Sequence, residues 1–360
     1  MLTEHDFIPK ASTVEVNEFD TQWSAPSNIA IVKYWGKKSG QIPANPSLSF
    51  TLNHCKTITS LSAHRNLEQE GVCFEFSFEG KEKPSFRPKI ETFLKRIEPY
   101  TPYLKAYHLK IDTSNTFPHS SGIASSASGM AALSVGIMSL ERALYPNMTE
   151  EYFWNKASFL ARLGSGSACR SLKGEVVIWG NHQDTPNSND LFGVSFENLH
   201  ENFNQCQDTI LLVDKGEKEV SSTLGHDLMH GHPFAYERFT QAHRNLTQLK
   251  TILTSGDWES FIALMESEAL TLHAMMMTSQ PYFILMKPNT LEIIQRIWKF
   301  RKESGLSLGF TLDAGANVHV LYPKAQAESI LQFIKNELIG YCQNQQYICD
   351  EMGSGAKKLM

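Results

Sequence analysis

Several features that would narrow the function of this 360-residue chain at once are missing. No apolar run approaches the roughly 20 residues that span a bilayer. The six cysteines (Cys55, Cys73, Cys169, Cys206, Cys342 and Cys349) are scattered and never form C-x-x-C, which argues against a zinc site or a disulfide framework. Positive charge is not in excess: 33 Lys and Arg stand against 38 Asp and Glu, a net charge of −5, so no general nucleic-acid or anionic-membrane surface is expected. Anionic small molecules remain open if basic residues gather in one cleft. The amino terminus, MLTEHDFIPK, lacks a basic-then-apolar leader pattern, and the expectation is a cytoplasmic protein. No internal repeat or low-complexity tract is present.

What is there reads as a soluble globular protein, 41% hydrophobic and 20% charged. The length exceeds one ordinary hydrophobic core and predicts two lobes of mixed α and β structure. The polar stretch 183–207, with Asp184, Pro186, Asn187, Asn189 and Asp190, reads as their junction, giving lobes over 1–195 and 196–350. The tail 351–360, ending GSGAKKLM, is expected to be flexible. Strands are predicted at 71–79 and 174–180, and also at 209–214, 308–312 and 318–322. Helices are predicted from Thr149 to about Leu163, over 233–253, 257–273, 290–303 and 324–339, and behind residue 125, where Met130, Leu133, Ile137, Leu140 and Leu144 share one face.

Four segments carry candidate chemistry. PHSSGIASSA (118–127) runs straight into that last helix. Its glycine permits close approach, its serines can cap or donate, and a helix N-terminus favours anions. It is neither a Walker A loop nor G-x-G-x-x-G, and alone it is equally a Ser-rich cap on a core helix. SAPSNIAIVKYWGKK (24–38) mixes a β-like run with Asn28, Lys33, Tyr34, Trp35, Lys37 and Lys38; it suits phosphate, or an edge strand guarded by lysines. ARLGSGSACRSLKG (161–174) combines Gly164, Ser165, Gly166 and Ser167 with Arg170, whose fork fits a carboxylate or phosphate; Arg162 and Lys173 add local charge. Asp313, in the turn DAGAN between two apolar strands, is either a turn former or a base. His226, His230 and His232 lack acidic or cysteine partners and read as surface or helix-end histidines. His273, Met275, Met276 and Met277 read as packing near the cleft, and Trp35 as packing rather than nucleotide stacking.

Taken together, the segments resemble the diphosphomevalonate decarboxylase family, within the superfamily of galactose, homoserine, mevalonate and phosphomevalonate kinases. The resemblance runs from about Trp23 to Tyr322 and includes KEVSSTLG (218–225) as a mid-chain serine motif. It implies an α+β, two-lobe kinase-superfamily fold with a ribosomal-protein-S5-domain-2-like amino-terminal lobe, an α/β carboxy-terminal lobe and a cleft between them. It implies ATP as co-substrate, Mg²⁺, a small-molecule substrate and a homodimer. By position, Asp313 matches the catalytic base and Arg170 the holder of the substrate carboxylate. Asn28 matches a hydrogen-bonding residue at the reacting end. Tyr34, Lys37, Ser165, Gly166, Ser167 and Ser222 match substrate and diphosphate binding, Lys37 also at the catalytic centre. Pro118, Ser121, Gly122, Ala124, Ser125 and Ser126 match the ATP-phosphate loop, with Ser126 near the metal. His119-Ser120-Ser121 stands for the usual Thr-Ala-Ala, Ile123 for Leu, Ala316 for Pro, and Asn45-Pro46-Ser47 also departs from the common form. The implied reaction is ATP-dependent decarboxylation of mevalonate 5-diphosphate to isopentenyl diphosphate. Alternatives are decarboxylation of the 5-monophosphate, a 3-kinase that stops at phosphorylation, or a non-catalytic binding protein on the same fold.

Overall fold

The computed structural model describes residues 2–12, 14–67, 71–118, 123–216 and 222–360. The first sheet is built on two long antiparallel strands, β1 (Glu18–Val32) and β2 (Ser47–Arg65). Beyond β2 lie β3 (Cys73–Phe78), β4 (Lys81–Glu82) and β5 (Tyr107–Asn115) in the order β2-β5-β3-β4. β3 and β5 are parallel because the helix α1 (Arg87–Ile97) makes the crossover between them. β6 (Val176–Trp179) pairs with the start of β2 and carries β7 (Val194–Ser195). Behind this sheet pack α2 (Ser125–Leu144) and α3 (Glu150–Gly164).

The predicted face of α2 is buried, and so is most of the helix around it, since Ala and Ser on the other sides let sheet and α3 approach closely. Thr149 caps α3 through a hydrogen bond from Tyr152 N–H, and Glu150 and Glu151 favour the helix dipole there. α2 starts differently from the expectation. Its cap is Ala124, held in a left-handed conformation (φ 37°), with no side-chain cap bond, so Ser125 and Ser126 keep their hydroxyls for other partners.

A second, four-stranded antiparallel sheet has the order β11-β8-β10-β9, formed by β8 (Gln207–Leu211), β9 (Gly309–Thr311), β10 (Val318–Tyr322) and β11 (Tyr347–Glu351). The short α4 (Ser222–Asp227), then α5 (Ala235–Ser255), α6 (Trp258–Met277), α7 (Pro288–Ser304) and α8 (Ala327–Phe333) surround it. The predicted last helix is a composite: a 3₁₀ turn, α8 and a π turn over Ile334–Leu338.

The two sheets are joined along β1 and β2. Ala25 and Leu61 pack with α2 and α3, whereas Ile29, Ile31, Leu48 and Phe50 pack with Leu246, Leu249 and Phe261 of α5 and α6. The register of β1 against β2 jumps from Pro26↔Lys56 to Asn28↔Thr51. The N–H groups in the resulting bulge, Asn53, His54 and Cys55, donate to the buried carboxylate of Asp350 on β11 at 2.7–2.9 Å. The tail does not trail free. Lys357–Lys358 (β12) pair with Ser24 and Trp23 at the outer edge of β1, and the Met360 carbonyl accepts from Gln22 N–H and Thr21 Oγ1. An otherwise unpaired sheet edge gives these few residues a template. Among the described residues no helix is long and apolar enough to cross a membrane.

Candidate active site

The carboxy-terminal end of β1 opens into a cavity of about 320 Å³. Lys33, the first residue past β1, is fixed by its backbone. Its N–H donates to Glu268 Oε2 at 2.9 Å, and its carbonyl accepts from Asn45 Nδ2 at 2.9 Å and Arg238 Nη2 at 3.2 Å. Glu268 and Arg238, on α6 and α5, form a fully buried pair at 2.6 Å. From this base the buried Lys33 ammonium reaches Asp313 Oδ1 at 3.1 Å, while the Asp313 side chain keeps 30% of its surface exposed to the cavity. Burial pulls the Lys33 pKa down, and the Asp313 carboxylate opposes that pull. The turn role falls to the Asp313 carbonyl, which accepts from Gly315 N–H at 2.7 Å and from His273 Nε2 at 3.1 Å. Burial pushes His273 down to about 4, so its ring is neutral and its proton sits on Nε2.

Arg170 enters from the 3₁₀ turn Gly166–Ser171, which follows directly on α3. Its guanidinium is almost wholly buried; Nη1 donates to Ser47 Oγ, and Nε is buried with no acceptor among the described residues. A buried donor without a partner is costly, and an anion in the cleft is the natural occupant beside it. Asn28 is locked by bonds from Nδ2 to Ser167 O (3.1 Å) and Ser171 Oγ (2.8 Å). Ser165, Gly166 and Ser167 line the same wall. Gly166 is required by proximity: a Cβ there would stand 2.9 Å from the Tyr34 hydroxyl and 3.1 Å from Trp179. Tyr34 packs edge-on to Trp179, and burial raises its hydroxyl pKa, so it is a neutral donor. Lys37 also lines the cavity, with Nζ 3.5 Å from Asp227 Oδ1.

Ala124 and Ser126 bring the start of α2 to the cavity, and Ser126 Oγ lies 3.4 Å from Ser165 Oγ. Ser126 also borders a second cavity of about 220 Å³, lined by Ser125, Phe76, Phe78, Ile90, Ile111 and Met130. Pro118 lines neither cavity. Ser121 and Gly122 lie outside the described residues; so do His119, Ser120 and most of the KEVS stretch, and of Ser222 only the backbone, at the start of α4, is described.

Three charged groups behave differently from the sequence reading. Arg162 does not line the cleft, because its guanidinium is spent on Leu191 O, Gly40 O and Glu4 Oε1. Lys173 is exposed and away from the cavity lining. His226 is at a helix end, in the last turn of α4, but it is not a surface residue: its ring lies 4.2 Å from that of Tyr34 and 4.8 Å from that of Trp35, and it lines the cavity. His230 is exposed as expected, and buried His232 is spent within the fold, accepting from Phe234 N–H and bonding the Met275 carbonyl. Trp35, Met275 and Met276 pack together as expected. The sequence offers Lys33 as a phosphate partner, not as a partner of Asp313, and does not assign the apolar second cavity. The alternation of Phe74, Phe76 and Phe78 was the available signal for the second.

Among the described residues no three His, Cys, Asp or Glu gather to hold a metal. A divalent ion here would be held mainly by a ligand's own phosphates, with the Ser126 hydroxyl as the protein donor at hand.

Residues 25–190 match the family model for a diphosphomevalonate decarboxylase-like N-terminal domain, and residues 209–358 that for a mevalonate 5-diphosphate decarboxylase C-terminal domain. The diphosphomevalonate decarboxylases of Debaryomyces hansenii and Candida albicans are 31% and 30% identical, covering 86% of this chain and 81% and 86% of their own lengths. The mevalonate diphosphate decarboxylase structure from Staphylococcus aureus superposes with a TM-score of 0.82 at 25% identity, over 95% of this chain and 98% of that one. A structure described as MDDEF in complex with MVAPP, AMPPCP and magnesium gives 0.81 at 26%, over 95% and 99%.

Proposed function

We propose, for a chain that belongs to the diphosphomevalonate decarboxylase family, that this cleft converts mevalonate 5-diphosphate and ATP to isopentenyl diphosphate, ADP, phosphate and CO₂. The observation that carries the reading is the Lys33–Asp313 pair facing the same cavity as Arg170, a base beside a carboxylate holder.

A tertiary hydroxyl is a poor leaving group, so the reaction first needs it phosphorylated. Asp313 accepts the hydroxyl proton as the oxygen attacks the γ-phosphate of ATP, and Lys33 keeps that carboxylate ionised and aimed. The C–O bond to the new phosphate then breaks, the C–C bond to the carboxylate breaks, and its electron pair forms the double bond as CO₂ leaves. Arg170 holds the carboxylate in line, and Asn28 holds the Arg170 turn in place through Ser167 and Ser171. Tyr34, Lys37 and the Ser165–Ser167 wall anchor the remote diphosphate, so binding energy far from the reacting carbon fixes its position. The start of α2 and Ser126 receive the ATP phosphates, and the apolar second cavity receives the base. Mg²⁺, bound with the phosphates near Ser126, supplies charge neutralisation.

The proposed division of labour puts the phosphate side in lobe 1–195 and Asp313 in lobe 196–350, with β12 crossing back to the first. A homodimer acting in the cytoplasm is part of the same proposal, tested by light scattering and cell fractionation. The decisive experiment supplies ATP, Mg²⁺ and mevalonate 5-diphosphate, with mevalonate and its 5-phosphate in parallel, and follows CO₂, ADP and phosphate together. Equal release of the three from the diphosphate is expected. ADP without CO₂ would make the protein a kinase, and CO₂ from the monophosphate alone would change the substrate.

A further inference from the structure

We propose that His226 reads the outer phosphate of the substrate: its Nε2–H donates a hydrogen bond to the terminal phosphate of a diphosphate and so favours diphosphate over monophosphate. This rests on the decarboxylase reading of the cleft and adds a residue that the family resemblance does not assign.

The tautomer is set by geometry. Gly36 N–H donates to His226 Nδ1 at 3.0 Å, so Nδ1 carries no proton and the proton of the neutral ring is on Nε2. The ring cannot swing away. It lies against Tyr34 and Trp35, and α4 is seated on Trp35 at Gly225, where a Cβ would come 2.5 Å from the indole. Nε2 has no protein partner among the described residues, in a side chain that lines the cavity. A donor held in place and left without an acceptor is a recognition group.

Its surroundings select the ligand. Lys37 and Arg170 are the charged neighbours that act on the ring, and Asp227 pairs with Lys37 rather than with the histidine. Burial and these cations push His226 down to about 3, so it remains a donor without becoming a third charge. Lys33 and Asp313 pair with each other in the cavity lining, while Tyr34, Lys37 and His226 form a second group there around the imidazole ring. On the proposed reading, with the reacting hydroxyl at Asp313 and the diphosphate among Tyr34, Lys37 and the Ser165–Ser167 wall, the outer phosphate comes to the group that holds His226. A monophosphate leaves the Nε2–H without a phosphate acceptor; a diphosphate supplies one. Sites that must hydrogen-bond a group reject ligands lacking it far more strongly than apolar pockets do.

The test uses the full chain without ATP and measures the Kd of mevalonate 5-diphosphate and of the 5-phosphate by calorimetry, for the wild type, His226→Phe and His226→Gln. Phe keeps the ring on Tyr34 and Trp35 and removes the donor; Gln can return an N–H to the same place. His226→Phe is expected to weaken diphosphate binding about tenfold, the size of one hydrogen bond to a charged acceptor, and monophosphate binding less than about threefold. His226→Gln is expected to recover most of the difference. Equal losses for both ligands would make the histidine structural, and no loss for either would overturn the assignment. In case Phe is poorly folded, ¹⁵N spectra of the wild-type imidazole provide a second reading: Nε2 should shift on adding the diphosphate, and an unmoved Nε2 refutes the bond. If the wild type turns over the diphosphate and His226→Phe binds it normally, only the His226 assignment fails. If the wild type releases no CO₂ from it, the decarboxylase reading fails instead.

Discussion

Replacing Asp313 with Asn separates chemistry from stability, because the two sides of its ion pair are unequal. Asn keeps the size of Asp and can still accept from Lys33, so the turn at the end of β9 should survive. The base is lost, and general-base catalysis is worth about 10²–10⁴ in rate, roughly 3–5 kcal/mol of barrier. The variant also strands Lys33, whose side chain is only 2% exposed. Removing one partner of a buried pair costs about 3–5 kcal/mol, and the low end applies because Lys33 can shed its proton. That release gives the signature. Lys33 already lies below its ordinary value of 10.5, and without the Asp313 carboxylate it falls further. Between the lowered folded value and 10.5 the unfolded chain binds a proton that the folded chain lacks, so stability of the variant should rise with pH across that window, more steeply than in the wild type. Adding Lys33→Met should restore stability and leave the rate low. The assays are single-turnover ADP and CO₂ release and denaturant midpoints at several pH values. A rate within about threefold of wild type would remove Asp313 from proton transfer. Superimposable stability profiles for Asp313→Asn and wild type would refute the coupling to Lys33.

The other outcomes are simpler to state. Arg170→Lys should lower kcat/KM by about 10–100-fold, since one ammonium cannot replace a fork held by Ser47; an unchanged value would sink the clamp. Gly166→Ala should push the Tyr34 hydroxyl aside and raise KM for the diphosphate about tenfold, at about 1–3 kcal/mol of stability, and a normal KM would show that Tyr34 does not anchor substrate. Glu268→Ala strands Arg238 and unties the Lys33 backbone, so it should cost about 3–5 kcal/mol in urea unfolding; a loss under about 1 kcal/mol would show that this buried pair does not hold the end of β1.

Local pattern made part of the fold legible, although the long central strand β2, its neighbour β5 and the crossover helix α1 are not among the predicted elements. The helix from Thr149 carries its own cap and acidic first turn, and the strands at 308–312 and 318–322 declare themselves by apolar runs around a turn. What local pattern could not give was the joint between the lobes. Asp350 looks like any acidic residue on an edge strand, yet it satisfies N–H groups contributed by Asn53, His54 and Cys55 nearly 300 positions earlier. The tail misled for the same reason. GSGAKKLM has the composition of a mobile end, and only the free edge of β1 makes it a strand.

The site shows the same division more sharply. Arg170, Asn28, Tyr34 and Asp313 are residues whose types announce their chemistry, and the cleft assembles them. Arg162 announces equally well and is wrong, because its charge is consumed by Glu4 and two carbonyls that no sequence spacing connects to it. Lys33 differs in the other direction: it reads as one of several lysines for phosphate or for guarding an edge strand, and it meets Asp313 because Glu268 and Arg238 hold its backbone where Asp313 arrives from the other lobe. His226 depends on a backbone N–H at Gly36 and two aromatic rings to give its tautomer and direction. A side chain's type states what it can do; its partners decide whether that capacity is spent on the fold or left facing the substrate.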